Sequence, residues 1–373
     1  MHTHRLTGLA LAVVLTTALG ALAVAHRGPG SAGRGAGLLV TWTSGGLPDG
    51  FAGRVADLDA VTAASTVRGD PVGLVASWDA DGNPVDQPPA GMTIPLDALA
   101  VDPGAHAGVL PPGARAPFLV LEEGQALLGE RSARLRGLGP GAVLELATGQ
   151  RVTVAGVVAD ELVGSAEIVL PVPAAGVRTE RFVKLRYGGD RSDAEDAIRD
   201  AAGSVPARVR GPGEMEVLRH GGSLLPQVAL KERFGEFAFR PREGRMIVQD
   251  PAWVEAHVRT AQVPILGEVA CHREVLPALD GAMSELVAAG LAWTVDARDY
   301  AGCYGPRLIR PGAALSRHAW GIAVDLNATT NAYGQPPSQD PRLVETMARW
   351  GFSWGGDWLV PDGMHFEYVG SGG

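Results

Sequence analysis

Two histidines and one aspartate have the types and spacing to do chemistry. His318 and Asp325 lie seven positions apart in SRHAWGIAVDLN (316–327), and His365 stands in PDGMHFEYV (361–369). If GIAVDLN is a strand, Gly321, Ala323 and Asp325 share one face and Ile322, Val324 and Leu326 the other. The carboxylate then has only small residues beside it, which leaves room there. HFEYV, read the same way, puts His365 and Glu367 on one face and Phe366 and Tyr368 on the other. Neighbouring strands would present Asp325 and His365 side by side, with His318 arriving from the loop before the first. Neutral imidazoles and a carboxylate suit zinc (Zn2+). Three protein ligands leave a fourth position open, the arrangement of a catalytic rather than a structural ion. Hydrolysis at such an ion calls for a carboxylate that takes a proton from water and returns it to the leaving amine. Asp362, three positions before His365, is the favoured residue, with Asp357 in GGDW as the alternative. Glu367 is expected to orient a ligand histidine. Three of the eight tryptophans fall between 350 and 358; Trp350 and Trp354 read as core, and Trp358 is placed to line a peptide groove.

These residues need a frame, and the C-terminal part of the chain supplies one. HREVLPALDGAMSELVAAG (272–290) sets Val275, Leu276, Leu279, Met283, Leu286 and Val287 on one helical face, with Gly290 as its stop. DPRLVETMARWG (340–351) is a second helix, capped by Asp340, with Pro341 in its first turn and Leu343, Val344, Met347 and Trp350 as its apolar stripe. The domain at 251–373 is therefore expected to be α+β, a small antiparallel sheet flanked by helices. Residues 216–250, rich in charge, Gly and Pro, read as a linker. Residues 38–215 read as a separate β-rich α+β domain. Its strands are expected in 37–43, 117–123, 142–160 (a hairpin turning at ATGQ), 166–172 and 181–187. A helix over 192–203, capped by Ser192 or Asp193, follows, and PARVRG returns as a strand.

Composition narrows the function classes. The chain has 373 residues, 46% of them hydrophobic, which is enough for two or three cores of ordinary size. A net charge of −9 without a basic stripe speaks against nucleic acid. Residues 7–25 carry no charge and follow Arg5. This run is longer than the apolar region of a signal peptide and close to the roughly 20 residues of a membrane span. Residues 1–37 are thus a signal peptide or, by preference, a single-span anchor, plus a flexible tether at 26–37. Either puts the rest of the chain outside the cytoplasm. There the two cysteines, Cys271 and Cys303, are expected to form a disulfide, worth roughly 3 kcal/mol through the loop it closes. His272 reads as structural.

SRHAWGIAVDLN together with WGGDWLVPDGMHFE resembles the VanY-like zinc peptidases, D-alanyl-D-alanine carboxypeptidases and L-alanyl-D-glutamate endopeptidases. The resemblance covers roughly 260–369. It implies His318, Asp325 and His365 as zinc ligands and Asp362 as the catalytic acid/base. It also implies Ser316 as a hydroxyl beside the metal, bonding substrate or a ligand. An arginine ahead of the first motif would polarise the scissile carbonyl: Arg307 is favoured over Arg310. An aspartate at the base position followed by HFE tilts the resemblance toward the endopeptidase branch. The implied substrate is the peptidoglycan stem peptide. The alternative is a binding or regulatory protein that keeps the zinc fold without turnover, as in animal hedgehog signalling domains. Residues 126–160 resemble, more loosely, the extracytoplasmic domain of FtsX/MacB-type permeases, which implies a membrane or division-complex partner for residues 38–215.

Overall fold

The computed structural model describes residues 37–211, 214, 225–310 and 314–370. The apolar run at 7–25 and its tether lie outside them. Among the described residues no helix is long and apolar enough to cross a membrane. The architecture is α+β, a β-rich part followed by a part with small antiparallel sheets and flanking helices.

The β-rich part contains β1 (Gly37–Thr43), β2 (Val61–Trp78), β3 (Ile94–Val101), β4 (Gln125–Gly129), β5 (Val143–Leu146), β6 (Arg151–Val158), β7 (Ile168–Pro171), β8 (Glu180–Tyr187) and β9 (Ala207–Arg210). They pair in the order β3-β7-β4-β6-β5-β2-β8-β1-β9, and a further β3–β2 pairing closes the first six into a barrel. In β6, Val152, Val154 and Val158 are buried while Arg151, Thr153 and Ala155 are exposed, the alternation of a strand with one face inward. Leu74, Leu96, Leu128, Leu144 and Ile168 join Val154 in the barrel core. The expected hairpin at ATGQ is the β5–β6 turn, where Gly149 takes a φ of 84°.

Two local expectations are corrected here. Residues 117–123 do not form a strand: Ala116–Leu119 is one helical turn, and Leu119 and Val120 are exposed. Pro117 has no N–H for a ladder and its fixed φ suits the first turn of a helix. The helix read at 192–203 is Arg191–Ala202, and its cap is Asp190, whose carboxylate accepts from the Ser192 N–H at 2.8 Å.

The stretch read as a linker is folded from 225 to 250; residues 216–224 lie outside the described ones. It holds the helix Gln227–Phe234 and the hairpin β10 (Phe239–Pro241) and β11 (Ile247–Gln249). Its charge is not all solvated. Lys231 Nζ lies 2.6 Å from Glu167 Oε2 and 2.8 Å from Glu236 Oε2, and Arg136 Nη2 lies 2.6 Å from Glu236 Oε2 and 3.3 Å from Glu167 Oε2. Lys231 also donates to the Pro95 carbonyl, and Gln227 Nε2 donates to Glu167 at 2.9 Å. This buried network ties the helix to the β-rich part. Leu230 and Phe234 of the same helix pack into the C-terminal core.

That core is covered by the hairpin β12 (Val258–Val263) and β13 (Gly267–His272), by the helices Leu276–Ala288 and Pro341–Arg349, and by a three-stranded sheet. The sheet has the order β14 (Ala323–Asp325), β16 (His365–Tyr368), β15 (Phe352–Trp354), all antiparallel. Asp340 caps the second helix by accepting from the Arg342 N–H at 2.9 Å. Val287 and Trp350, read as part of the apolar stripes, stand at helix ends and are 51% and 36% exposed. Cys271 and Cys303 form the expected disulfide.

Candidate metal centre

The β14–β16 register sets Asp325 directly opposite His365, which puts the two side chains on one face. Asp325 Oδ1 lies 2.8 Å from His365 Nδ1. His318 belongs to a 3₁₀ turn, Arg317–Trp320, that runs into β14. The turn begins at Ser316, whose hydroxyl accepts from the His318 N–H at 3.3 Å. It ends at Gly321, where a φ of 66° swings the chain into the strand. A Cβ on Gly321 would stand 2.7 Å from the His272 nitrogen. Gly321 is therefore small because of its backbone and its close packing, and not to clear space around Asp325, which corrects one reason given for the pattern.

His318 Nε2 lies 3.0 Å from Asp325 Oδ2 and 3.3 Å from His365 Nδ1. One ligand-type atom from each of His318, Asp325 and His365 falls within 4.8 Å of the others, and all three residues are buried. The far nitrogens have partners of their own. His318 Nδ1 is 2.8 Å from the Cys303 carbonyl oxygen, and His365 Nε2 is 3.2 Å from Glu367 Oε1. A carbonyl only accepts, so Nδ1 of His318 carries its proton; the Glu367 carboxylate asks the same of His365 Nε2. With both imidazoles neutral, two lone pairs and a carboxylate converge on one point. A cation fits that point. Ligand atoms on a tetrahedral zinc, with bonds of about 2.0–2.1 Å, stand roughly 3.3 Å apart, close to the spacings found. Backbone carbonyl and carboxylate partners on ligand histidines are the usual support of such a site.

The electrostatics of the metal-free cluster point the same way. Burial opposes protonation of His365, yet Asp325 and Glu367 outweigh it and push His365 up to about 10. Burial pushes Asp325 upward, but the two histidines win and hold it well below the usual carboxylate range. His318 is lowered, chiefly by burial. Without a metal, a proton on His365 supplies the positive charge the cluster demands.

Asp362 stands at the mouth of β16, with its carbonyl accepting from the His365 N–H at 3.1 Å. Burial, with the charges of Asp325 and Glu367, raises its carboxyl above the ordinary value, against the pull of His365 and Arg307. Its Oδ1 is buried and has no hydrogen-bond partner among the described residues. Asp357, the alternative, is exposed. Arg307 Nη2 lies 3.5 Å from Asp325 Oδ2, whereas Arg310 is exposed and forms no ion pair among the described residues. The ring centroid of Trp358 is 5.4 Å from that of His365, so the indole walls the cluster.

Three supporting contacts were not legible as site features. Arg317 Nε sits 3.7 Å from Glu367 Oε2, behind the His365 partner. The Cys303 carbonyl holds His318, and the segment 301–305 runs beside β14: Asp325 N donates to Gly302 O at 3.1 Å, and Ala301 N to Asp325 O at 3.0 Å. Gly305 gives Arg307 its path, since a Cβ there would meet Arg307 Nη1 at 2.4 Å. Backbone carbonyls and glycines carry no sequence signal of such roles. His272 is structural as expected, buried with Nε2 3.3 Å from the Phe234 carbonyl oxygen.

Comparison with known proteins agrees with this geometry. Residues 310–368 match a family model described as D-alanyl-D-alanine carboxypeptidase. No curated protein matches the chain. Among solved structures, the periplasmic region of MacB from Actinobacillus actinomycetemcomitans is similar at 10% identity, with 47% of this chain and 88% of that one covered and a TM-score of 0.32. The extracellular domain of the noncanonic ABC-type transporter YknZ from Gram-positive bacteria is similar at 10% identity, with 47% and 100% covered and a TM-score of 0.31. His318, Asp325, His365 and Asp362 all fall inside the segment that matches the carboxypeptidase family model.

Proposed function

We propose that the chain is a zinc-dependent peptidase that hydrolyses a peptide bond in the peptidoglycan stem. The observation that carries the reading is the convergence of the buried His318, Asp325 and His365 on one point, with the unpartnered Oδ1 of Asp362 nearby. His318 Nε2, His365 Nδ1 and the Asp325 carboxylate would hold the ion. Zinc supplies Lewis acidity there, polarising a carbonyl and acidifying water. The work of this chain is positioning and proton transfer. Asp362 takes the proton of the attacking water and passes it to the nitrogen of the leaving amine; a carboxyl raised by burial is suited to both halves of that exchange. Arg307 donates to the carbonyl oxygen as negative charge develops on it. Trp358 packs against the peptide, and the Ser316 hydroxyl, already an acceptor for His318 N–H, keeps its own proton for substrate or a ligand.

The disulfide and the apolar N-terminal run support a location outside the cytoplasm, with the chain anchored or secreted. The β-rich part would meet a membrane or division-complex partner. Zinc content by mass spectrometry tests the metal role: one equivalent per chain in the wild type, and little in His318→Ala or His365→Ala. The bond is read from the digest of isolated muropeptides. Release of a terminal D-Ala means carboxypeptidase, and separation at L-Ala–D-Glu means endopeptidase. A chain with its full zinc complement that releases nothing would be a binding protein instead.

A further inference from the structure

The hairpin β10–β11 lies outside the segment that matches the family model, yet it docks onto the run that carries Arg307. Ile247 N donates to Pro306 O at 3.2 Å and Leu308 N to Arg245 O at 2.7 Å, which makes Met246 and Arg307 an antiparallel bridge pair. In a pair flanked by its hydrogen bonds in this way, the two side chains share a face at a Cα separation of about 4.5 Å. Arg242 N donates to Met246 O at 2.9 Å, so Arg242 stands across from Met246 on the other arm of the hairpin. A row Arg242, Met246, Arg307 results, and its far end is the guanidinium 3.5 Å from Asp325.

The row has the features of a surface without its ligand. Arg242 and Arg245 are exposed, and neither side chain has a carboxylate or hydrogen-bond partner among the described residues. The Arg245 carbonyl accepts from Leu308 N–H at 2.7 Å, so the backbone of Arg245 lies alongside the run that carries Arg307. Glu243, the acid of the hairpin turn, forms no ion pair with either among the described residues. Met246 is 44% exposed between the two arms. A chain with net charge −9 thus gathers unneutralised arginines around an open apolar side chain beside its metal cluster. Cations held together in this way are relieved by an anion, and a planar guanidinium favours a carboxylate.

We propose that Arg242 and Arg245 form a carboxylate-binding shelf, with Met246 as its apolar floor, that selects substrates carrying a free carboxylate beside the cleaved bond. The inference rests on the peptidase reading of the neighbouring cluster. The carboxylate has two sources in a stem peptide, the terminal main-chain group and the free carboxylate of the D-Glu residue.

Calorimetric titration of the full chain, zinc-loaded and carrying Asp362→Ala so that nothing is turned over, separates them. The probes are a synthetic stem pentapeptide, the same peptide amidated at its C-terminus, and the same peptide amidated at D-Glu. Amidation of the carboxylate that occupies the shelf is expected to raise Kd roughly tenfold, the size of one charge-assisted hydrogen bond. Arg245→Gln or Arg242→Gln should weaken the free-acid peptide by a similar factor, and amidation should then add no further loss. Binding that ignores both amidations, or losses from amidation and substitution that multiply, would overturn the shelf and leave the peptidase reading standing. No binding of any of the three peptides would remove the peptidase reading and the shelf with it.

Discussion

At the scale of single residues, the site depends on contacts one step behind the proposed ligands. Glu367 fixes the tautomer of His365 and is itself faced by Arg317. Glu367→Ala is expected to weaken zinc binding about 10- to 100-fold, measured by competition with a chromogenic chelator; unchanged affinity would mean that Glu367 does not orient the imidazole. Gly305→Ala makes a different cut. Its Cβ would occupy the place of Arg307 Nη1, so zinc should stay bound while kcat falls about a hundredfold through the displaced guanidinium. Asp325, His365 and Glu367 were legible because a strand repeats every two residues, so five or six letters assign faces. Gly321 was misread for the same reason: the reading extended the strand over a residue that ends a 3₁₀ turn. The Cys303 carbonyl was invisible, since every residue has one and only the fold says which is used.

At the scale of elements, the disulfide pins the segment that buttresses the centre. Cys303 is bonded to Cys271 at the end of β13, and residues 301–305 hydrogen-bond to both Asp325 and His318. Replacing both cysteines by serine should lower unfolding stability by about 2–4 kcal/mol, read from denaturant curves. It should also weaken zinc binding in the folded state, which a cross-link remote from the site would not do. The two helices of this part were readable from their 3.6-residue stripes and caps, and erred only at their ends. The missed elements are those whose pattern is broken by a structural duty. β2 carries Gly69, Asp70, Pro71 and Gly73 in its middle, and the Asp70 carboxylate accepts from the Arg178 and Thr179 N–H groups at 2.7 and 2.8 Å. Its letters look like a turn because they serve a long strand that passes from one neighbour to another.

At the scale of the whole molecule, the buried charges of Glu167, Lys231 and Arg136, with the half-buried Glu236, join the β-rich part to the C-terminal part. Lys231→Met leaves Glu167 and Glu236 to share the Arg136 guanidinium and should destabilise the chain by about 3–5 kcal/mol in denaturant unfolding. Truncation at the first part would do the same, so partner capture is better tested with surface variants of the full chain. Acid should loosen the molecule through two histidines away from the centre. Burial holds His106 down to about 3 and His272 to about 4, against an ordinary 6.5. Below pH 6.5 the unfolded chain takes up protons that the folded one refuses. Stability is therefore full above that pH and declines as pH falls toward 3, visible as a falling Tm; His106→Gln should flatten part of the slope. Barrel closure and this network were not legible, because both join residues far apart in the chain and neither leaves a local period.

The central claim is that His318, Asp325 and His365 hold zinc for a reaction in which Asp362 moves the proton. Mass spectrometry of muropeptides incubated with the zinc-loaded full chain and with its Asp362→Ala variant tests it most directly. The account predicts that the wild type releases D-Ala or separates L-Ala from D-Glu, and that the variant, still carrying one zinc per chain, releases neither. A zinc-loaded wild type that leaves every muropeptide intact, or a variant that cleaves as fast as the wild type, would contradict it.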